Sequence, residues 1–315
     1  MSTRWYDRGA DAFARVVDGL PRGYVCPLCL RLFTPDRINE LTVDHVPAEQ
    51  MGGNRLILTC RRCNSESGAF LQGEMRKQEN PVAALRGELD QPHPVRMTLS
   101  TGATIHAELS GQPGSGYRLN VIEAADSEAA REAFKEDMGR MTADGSNDWS
   151  LNLDFYRDRH HPVAARVGWL REAFLVGFAV LGYRYILDAA LSRVREQLAQ
   201  PREELITSYQ IVSPEKPPDQ KAFLMITEPE WLRSVAVQFG RRIVFLPRIG
   251  DPGIYDRLSE RRRISSGDRL DEVHAEGGTV DAWPREPLFL MDFQLPSPVF
   301  RVLTSTTPLT PGRDV

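Results

Sequence analysis

Several things are scarce in this chain, and each scarcity closes off a class of protein. There is no long hydrophobic run. The strongest, Ala173–Tyr183, is 11 residues, and a helix needs roughly 20 to cross a hydrocarbon core, so it reads as a buried helix. There is no excess of basic charge: 39 Lys/Arg stand against 43 Asp/Glu, a net charge of −4. Residues 1–94 carry 12 of each sign and the remaining 221 residues carry 27 against 31, so a nucleic-acid site would be a local patch and not a global field. The first 20 residues lack the apolar segment and small-residue cleavage site of a secretory signal. That makes the reducing cytoplasm the expected compartment and argues against a membrane as partner. No internal repeat and no heptad array is visible. Cysteine is rarest of all, with four in 315 residues.

Those four are not scattered. They form Cys26-Pro-Leu-Cys29 and Cys60-Arg-Arg-Cys63, with 30 residues between the pairs. A CxxC turn presents two sulfurs to one ion, and two such knuckles complete a closed tetrahedral zinc site of the structural type. In a reducing compartment, metal is favoured over disulfides. The alternatives are unpaired buried thiols or a redox pair in one CxxC. The gap exceeds the zinc-ribbon spacing of roughly 15–20 residues, and the extra length holds Asp44-His45.

Periodicity predicts the surrounding elements. Residues 1–20 repeat apolar positions at helical spacing and stop at Pro21-Arg22-Gly23. Residues 41–46 and 55–59 read as strands around a Met51-Gly52-Gly53 turn, and a helix is expected from near Asn64 towards Gln78, capped by Asn64 or Ser65. Gln91-Pro-His-Pro94 looks like a linker. Beyond it, 95–100, 103–110 and 117–124 alternate as an antiparallel meander. A charged helix over 127–141, a strand over Trp149–Tyr156, helices over 162–199 bent at Gly182 and strands within 222–247 follow. His160-His161 reads as a helix boundary, Trp149, Trp169 and Trp231 as core, and His93 and His106 as structural or exposed. The expected class is α+β: a zinc-stabilised module over 1–90, a mixed α+β accessory domain over 95–303, and a loose Pro/Thr/Gly-rich tail over 304–315.

Asp44-His45-Val46-Pro47 carries chemistry. A neutral imidazole can take a proton from water near pH 7, and an adjacent carboxylate can hold a hard divalent cation through oxygen. Neighbours on a regular strand point to opposite faces, so the pair can cooperate only where the strand breaks, and Pro47 is expected to supply the break. A surface turn, or a histidine on zinc, is the plainer reading of a lone Asp-His pair.

The ordered set Asp44-His45-x-Pro47, Gly52-Gly53-Asn54, Leu56-Ile57-Leu58, Cys60-x-x-Cys63-Asn64 and Gly68 resembles the HNH endonucleases of the ββα-metal class, in the variant with two CxxC zinc knuckles. The match spans roughly residues 24–78. The resemblance implies that Asp44 is a ligand of a catalytic divalent cation and His45 the general base that activates water. It implies that Asn54 fixes the interstrand loop through backbone hydrogen bonds. It also implies that Asn64 is the second cation ligand, in a position where many relatives carry histidine; asparagine favours Mg2+ or Mn2+. One departure stands out: Glu66 sits where relatives often have lysine, which removes a phosphate-binding cation.

The implied activity is metal-dependent hydrolysis of phosphodiester bonds in DNA, with structural Zn2+ at the four cysteines. Arg55, Arg61, Arg62, Arg76 and Lys77 are candidate phosphate contacts, with a solvated surface as the alternative. RNA as substrate and a non-catalytic zinc module binding nucleic acid or protein are the competing readings. Relatives serve in restriction, phage defence and mobile elements, which makes a second copy of the chain or a defence partner protein a further expectation.

Overall fold

The computed structural model of the protein describes residues 3–86, 92–99, 102–112, 114–143, 151–155, 160–212, 220–264, 275–280, 283–292 and 300–304. The described chain is α+β, with antiparallel sheets throughout. It divides into two compact units, one of residues 1–72 with 166–315 and the other of residues 73–165. The division differs from the 1–90 and 95–303 split read from the sequence.

In the first unit, α1 (Thr3–Val16) buries Tyr6, Ala10 and Phe13. Next come the two-residue strands β1 (Tyr24–Val25) and β2 (Leu32–Phe33), paired around the first cysteine knuckle. β3 (Leu41–Val46) and β4 (Asn54–Cys60) form a two-stranded antiparallel sheet. Five consecutive residues of β4 are buried, as expected of a strand covered on both faces. The backbone turns helical at Arg61, passes through a π-type turn over Cys63–Gly68, and continues as α2 (Ala69–Leu85), which has Pro81 inside it and of which residues 73–85 belong to the second unit. The helix therefore begins before Asn64, and neither Asn64 nor Ser65 caps it. Helical geometry is needed three residues early, because it is what sets the sulfurs of Cys60 and Cys63 side by side.

In the second unit, β5 (His93–Leu99), β6 (Thr104–Gln112) and β7 (Gly116–Val121) form the expected meander. After α3 (Glu128–Ala143), β8 (Leu151–Phe155) pairs with β5 to give the order β7-β6-β5-β8. Val95, Met97, Leu99, Ile105, Leu109 and Phe134 make its core. The supposed linker at 91–94 runs into a strand that starts at His93. Trp149, expected in the core, lies outside the described residues, as do residues 305–315 of the expected tail.

α4 (Pro162–Leu181) leads back into the first unit. His161 caps it: the Ala164 amide donates to its Nδ1 at 3.3 Å. Gly182, at φ 92°, breaks the helix, because Asp292 Oδ2 lies 2.0 Å from where a Cβ would stand. That carboxylate accepts instead from the amides of Tyr183 at 2.6 Å and Arg184 at 3.1 Å. The short α5 (Tyr183–Ile186) and α6 (Ser192–Ala199) follow. β9 (Gln210–Val212), β10 (Lys221–Glu228), β11 (Ser234–Phe239), β12 (Arg242–Leu246), α7 (Ile254–Ile264), β13 (Glu276–Val280) and β14 (Phe300–Thr304) complete the chain. The strands form one six-stranded sheet in the order β14-β13-β10-β11-β12-β9. Residues Ala173–Leu181 of α4 are apolar apart from Gly177 and buried all round, and they form the centre of this unit. Trp169 joins them, its ring 5.4 Å from that of Phe239. Among the described residues, no helix is long and apolar enough to cross a membrane.

Candidate functional site

The four cysteines converge, with ligand atoms all within 4.8 Å of one another. Cys29 Sγ and Cys60 Sγ are 3.7 Å apart, close to the roughly 3.8 Å edge of a tetrahedron with 2.3 Å zinc–sulfur bonds. The knuckle turn is held by Leu30 N donating to Cys26 O at 2.9 Å, with Leu30 itself in the left-handed region at φ 55°. The Cys60 amide donates to Cys26 Sγ at 3.3 Å. Such an amide bond compensates negative charge on sulfur, as a thiolate ligand needs. The hydrogen bond between Cys26 and Cys29 pushes the first thiol up and pulls the second down. Four sulfurs within 4.8 Å of one another fit a metal ion such as zinc, whose binding releases thiol protons. A cleft of about 360 Å3 opens beside them, lined in part by Arg31, Arg62 and Arg171.

β3 runs past this centre. Its register against β4 slips between Asp44 and His45: Asp44 pairs with Ile57 and His45 with Arg55, leaving Leu56 as the extra residue. The break expected at Pro47 thus begins earlier, as a β-bulge, which re-aims neighbouring side chains. Asp44 is buried at 1% exposure, whereas the His45 side chain keeps 28%. Thr59, across the sheet, donates from Oγ1 to Asp44 Oδ2 at 3.0 Å. Asn64, from the π-type turn, donates through Nδ2 to Thr42 Oγ1 at 2.9 Å and to Val43 O at 3.2 Å. The side chain expected to cap the helix ties it to β3 instead, one residue before Asp44.

Asn54 is exposed at the start of β4, opposite Val46. Among the described residues the loop before it is held by other groups. Ala48 O accepts from the amides of Met51 at 2.8 Å and Gly53 at 3.1 Å, and Lys221 Nζ donates to Gly52 O. Gly53 is irreplaceable by size, since a Cβ there would lie 1.4 Å from Pro47 O.

Sequence reasoning missed the group nearest Asp44. Arg171, in α4, places Nη2 against Asp44 Oδ2 and donates from Nη1 to Glu172 Oε1 at 2.9 Å. Side-chain exposures are 2%, 1% and 0% for Arg171, Asp44 and Glu172. Asp44 Oδ1 is buried and has no hydrogen-bond partner among the described residues. Burial pushes Glu172 up to about 7, against the pull of the neighbouring guanidinium. The available signal was a pair of adjacent opposite charges inside an apolar helix.

The basic candidates separate. Arg55, Arg61 and Arg62 are exposed in the first unit, and Arg61 also donates to Asn39 O at 2.9 Å. Arg76 and Lys77 fall in the second unit, where Lys77 Nζ is paired with Glu74 at 3.0 Å. Compared with family models, with curated proteins and with solved structures, the chain matches none.

Proposed function

We propose that this chain is a metal-dependent endonuclease of the HNH type, hydrolysing phosphodiester bonds in DNA, with His45 as general base. The observation that carries the reading is the tie from Asn64 to the Val43 carbonyl. The helix side and the strand side of the motif share one place, beside an imidazole that reaches solvent and a carboxylate oxygen with no partner among the described residues. A scaffold needs neither of the last two. An unpaired buried carboxylate oxygen is costly, and a hard cation is a natural partner for it.

In this reading Asp44 and Asn64 would hold Mg2+ or Mn2+, which neutralises phosphate charge and stabilises the leaving oxygen when bound. His45 takes the proton from the attacking water, a contribution of roughly 10^2–10^4-fold. Its Nε2 lies 4.0 Å from Glu49 Oε2, whose side chain is 79% exposed, so Glu49 orients it weakly. Arg55, Arg61 and Arg62 would grip flanking phosphates without reading sequence. The four cysteines would keep Zn2+ for structure.

The test is plasmid nicking with Mg2+ or Mn2+. His45→Ala is expected to abolish nicking, by at least roughly 10^2-fold, at unchanged zinc content and melting temperature. A panel of duplex DNA, single-stranded DNA and RNA sets the substrate. One observation favours a second reading, a non-catalytic zinc module: the Arg171 guanidinium already pairs with Asp44. Absence of Mg2+- or Mn2+-dependent nicking by the zinc-loaded chain decides for it, and nicking that His45→Ala leaves intact removes His45 as the base.

A further inference from the structure

We infer that Arg171 and Glu172 act as a positioning pair for Asp44: the guanidinium fixes the carboxylate, and Glu172 keeps the buried cluster negative enough to accept a divalent cation. The inference rests on the nuclease reading above. Asp44 Oδ2 is anchored twice, by Thr59 Oγ1 at 3.0 Å and by Arg171 Nη2, while Oδ1 has no partner among the described residues. One oxygen is thus clamped and the other presented, which is what a cation ligand needs from the groups behind it.

A lone guanidinium would spoil this, because its charge would cancel that of Asp44 and repel a cation. Glu172 Oε1 takes the other arm of the fork at 2.9 Å. With two carboxylates against one guanidinium, the ionised cluster retains one negative charge. The fork needs an arginine, since a lysine ammonium cannot bridge two carboxylates in one plane. Gly68 leaves room for it: a Cβ there would lie 3.2 Å from Arg171 Nη2. The motif glycine after Asn64 therefore packs on the same guanidinium.

The test uses the full zinc-loaded chain at pH 8, comparing wild type, Glu172→Gln, Arg171→Lys and, as a site control, Asp44→Asn. Mn2+ binding is read by electron paramagnetic resonance, and nicking is followed as a function of Mn2+. Glu172→Gln removes one charge at constant shape. It is expected to raise the Mn2+ half-saturation about 10-fold by both readouts, with the effect on half-saturation larger than that on the rate at saturation. Arg171→Lys should show the opposite split, losing rate at saturating Mn2+ with a smaller change in half-saturation. Zinc content guards against misfolding in both variants. If wild type cuts and binds Mn2+ through Asp44, yet Glu172→Gln has the same Mn2+ dependence, this inference alone is overturned. If wild type neither cuts nor binds Mn2+, the nuclease reading falls and takes this one with it.

Discussion

Three side chains concentrate the residue-scale physics: Asp44, Arg171 and Glu172, none more than 2% exposed. Each charge taken from water costs several kcal/mol, and only close pairing offsets that. Glu172 carries the residue of the imbalance. Burial raises it from its ordinary value of 4.5 to about 7, so the folded state holds a proton that the unfolded chain gives up. Its contribution to stability is complete below the unfolded value and is lost as pH rises through about 7. Asp292, raised by burial to about 6, has the same sign, so the pH profile of wild type alone cannot isolate Glu172. The difference between wild type and Glu172→Gln can. Urea midpoints at pH 5, 6, 7 and 8 are expected to show wild type losing ground to the variant as pH rises from 5 to 7, with little further change above 7. Parallel profiles would mean that Glu172 does not titrate in this window.

At the scale of elements, hairpin and helix depend on the cysteines. β3 and β4 make only a two-stranded sheet, and an isolated hairpin is marginal in water. Cys60→Ser should therefore remove zinc and melt the hairpin together with the π-type turn, because structural zinc supplies folding free energy directly. Metal analysis and amide exchange across residues 41–72 check this; protected β4 amides in a zinc-free variant would refute it. The strands were legible because their residues speak locally: Leu41–Val46 is bounded by Pro47, and Leu56–Leu58 is a short apolar run after Gly52-Gly53. The start of the helix was not. Capping logic pointed to Asn64, but the constraint came from the convergence of the four cysteines, which acts on Cys60 and Cys63 before any cap is reached. The place of Asn64 in the motif was legible, while the hydrogen bond that gives it meaning runs to a strand 21 residues earlier. Arg171 lay further from view, because its tie to Asp44 spans 127 residues; its adjacent partner Glu172 marks a buried ion pair but does not point to Asp44.

At the scale of the whole molecule, the same distances decide what can fold alone. A Pro-rich segment at 91–94 suggested an independent N-terminal module. The compact unit instead joins residues 1–72 to 166–315. The joints are specific. Tyr183 hydroxyl donates to Val25 O at 2.8 Å and accepts from Val25 N at 3.1 Å, and Phe13 packs edge-on to the Tyr183 ring at 5.1 Å. Removing α4 and α5 would leave Asp44 without Arg171 and would strip apolar cover from α1. Losing one partner of a buried ion pair alone costs about 3–5 kcal/mol, a large part of the roughly 5–15 kcal/mol that holds a typical domain folded. A fragment of residues 1–90, refolded with one equivalent of zinc, is therefore expected to bind the metal but to melt without a cooperative transition. Its nicking activity should fall below detection while the full chain retains it. Calorimetry and amide dispersion read the first outcome, and the plasmid assay reads the second. A sharp calorimetric transition in the fragment, within a few degrees of the full chain, would restore the autonomous module and make α4 a neighbour of the site and no part of it.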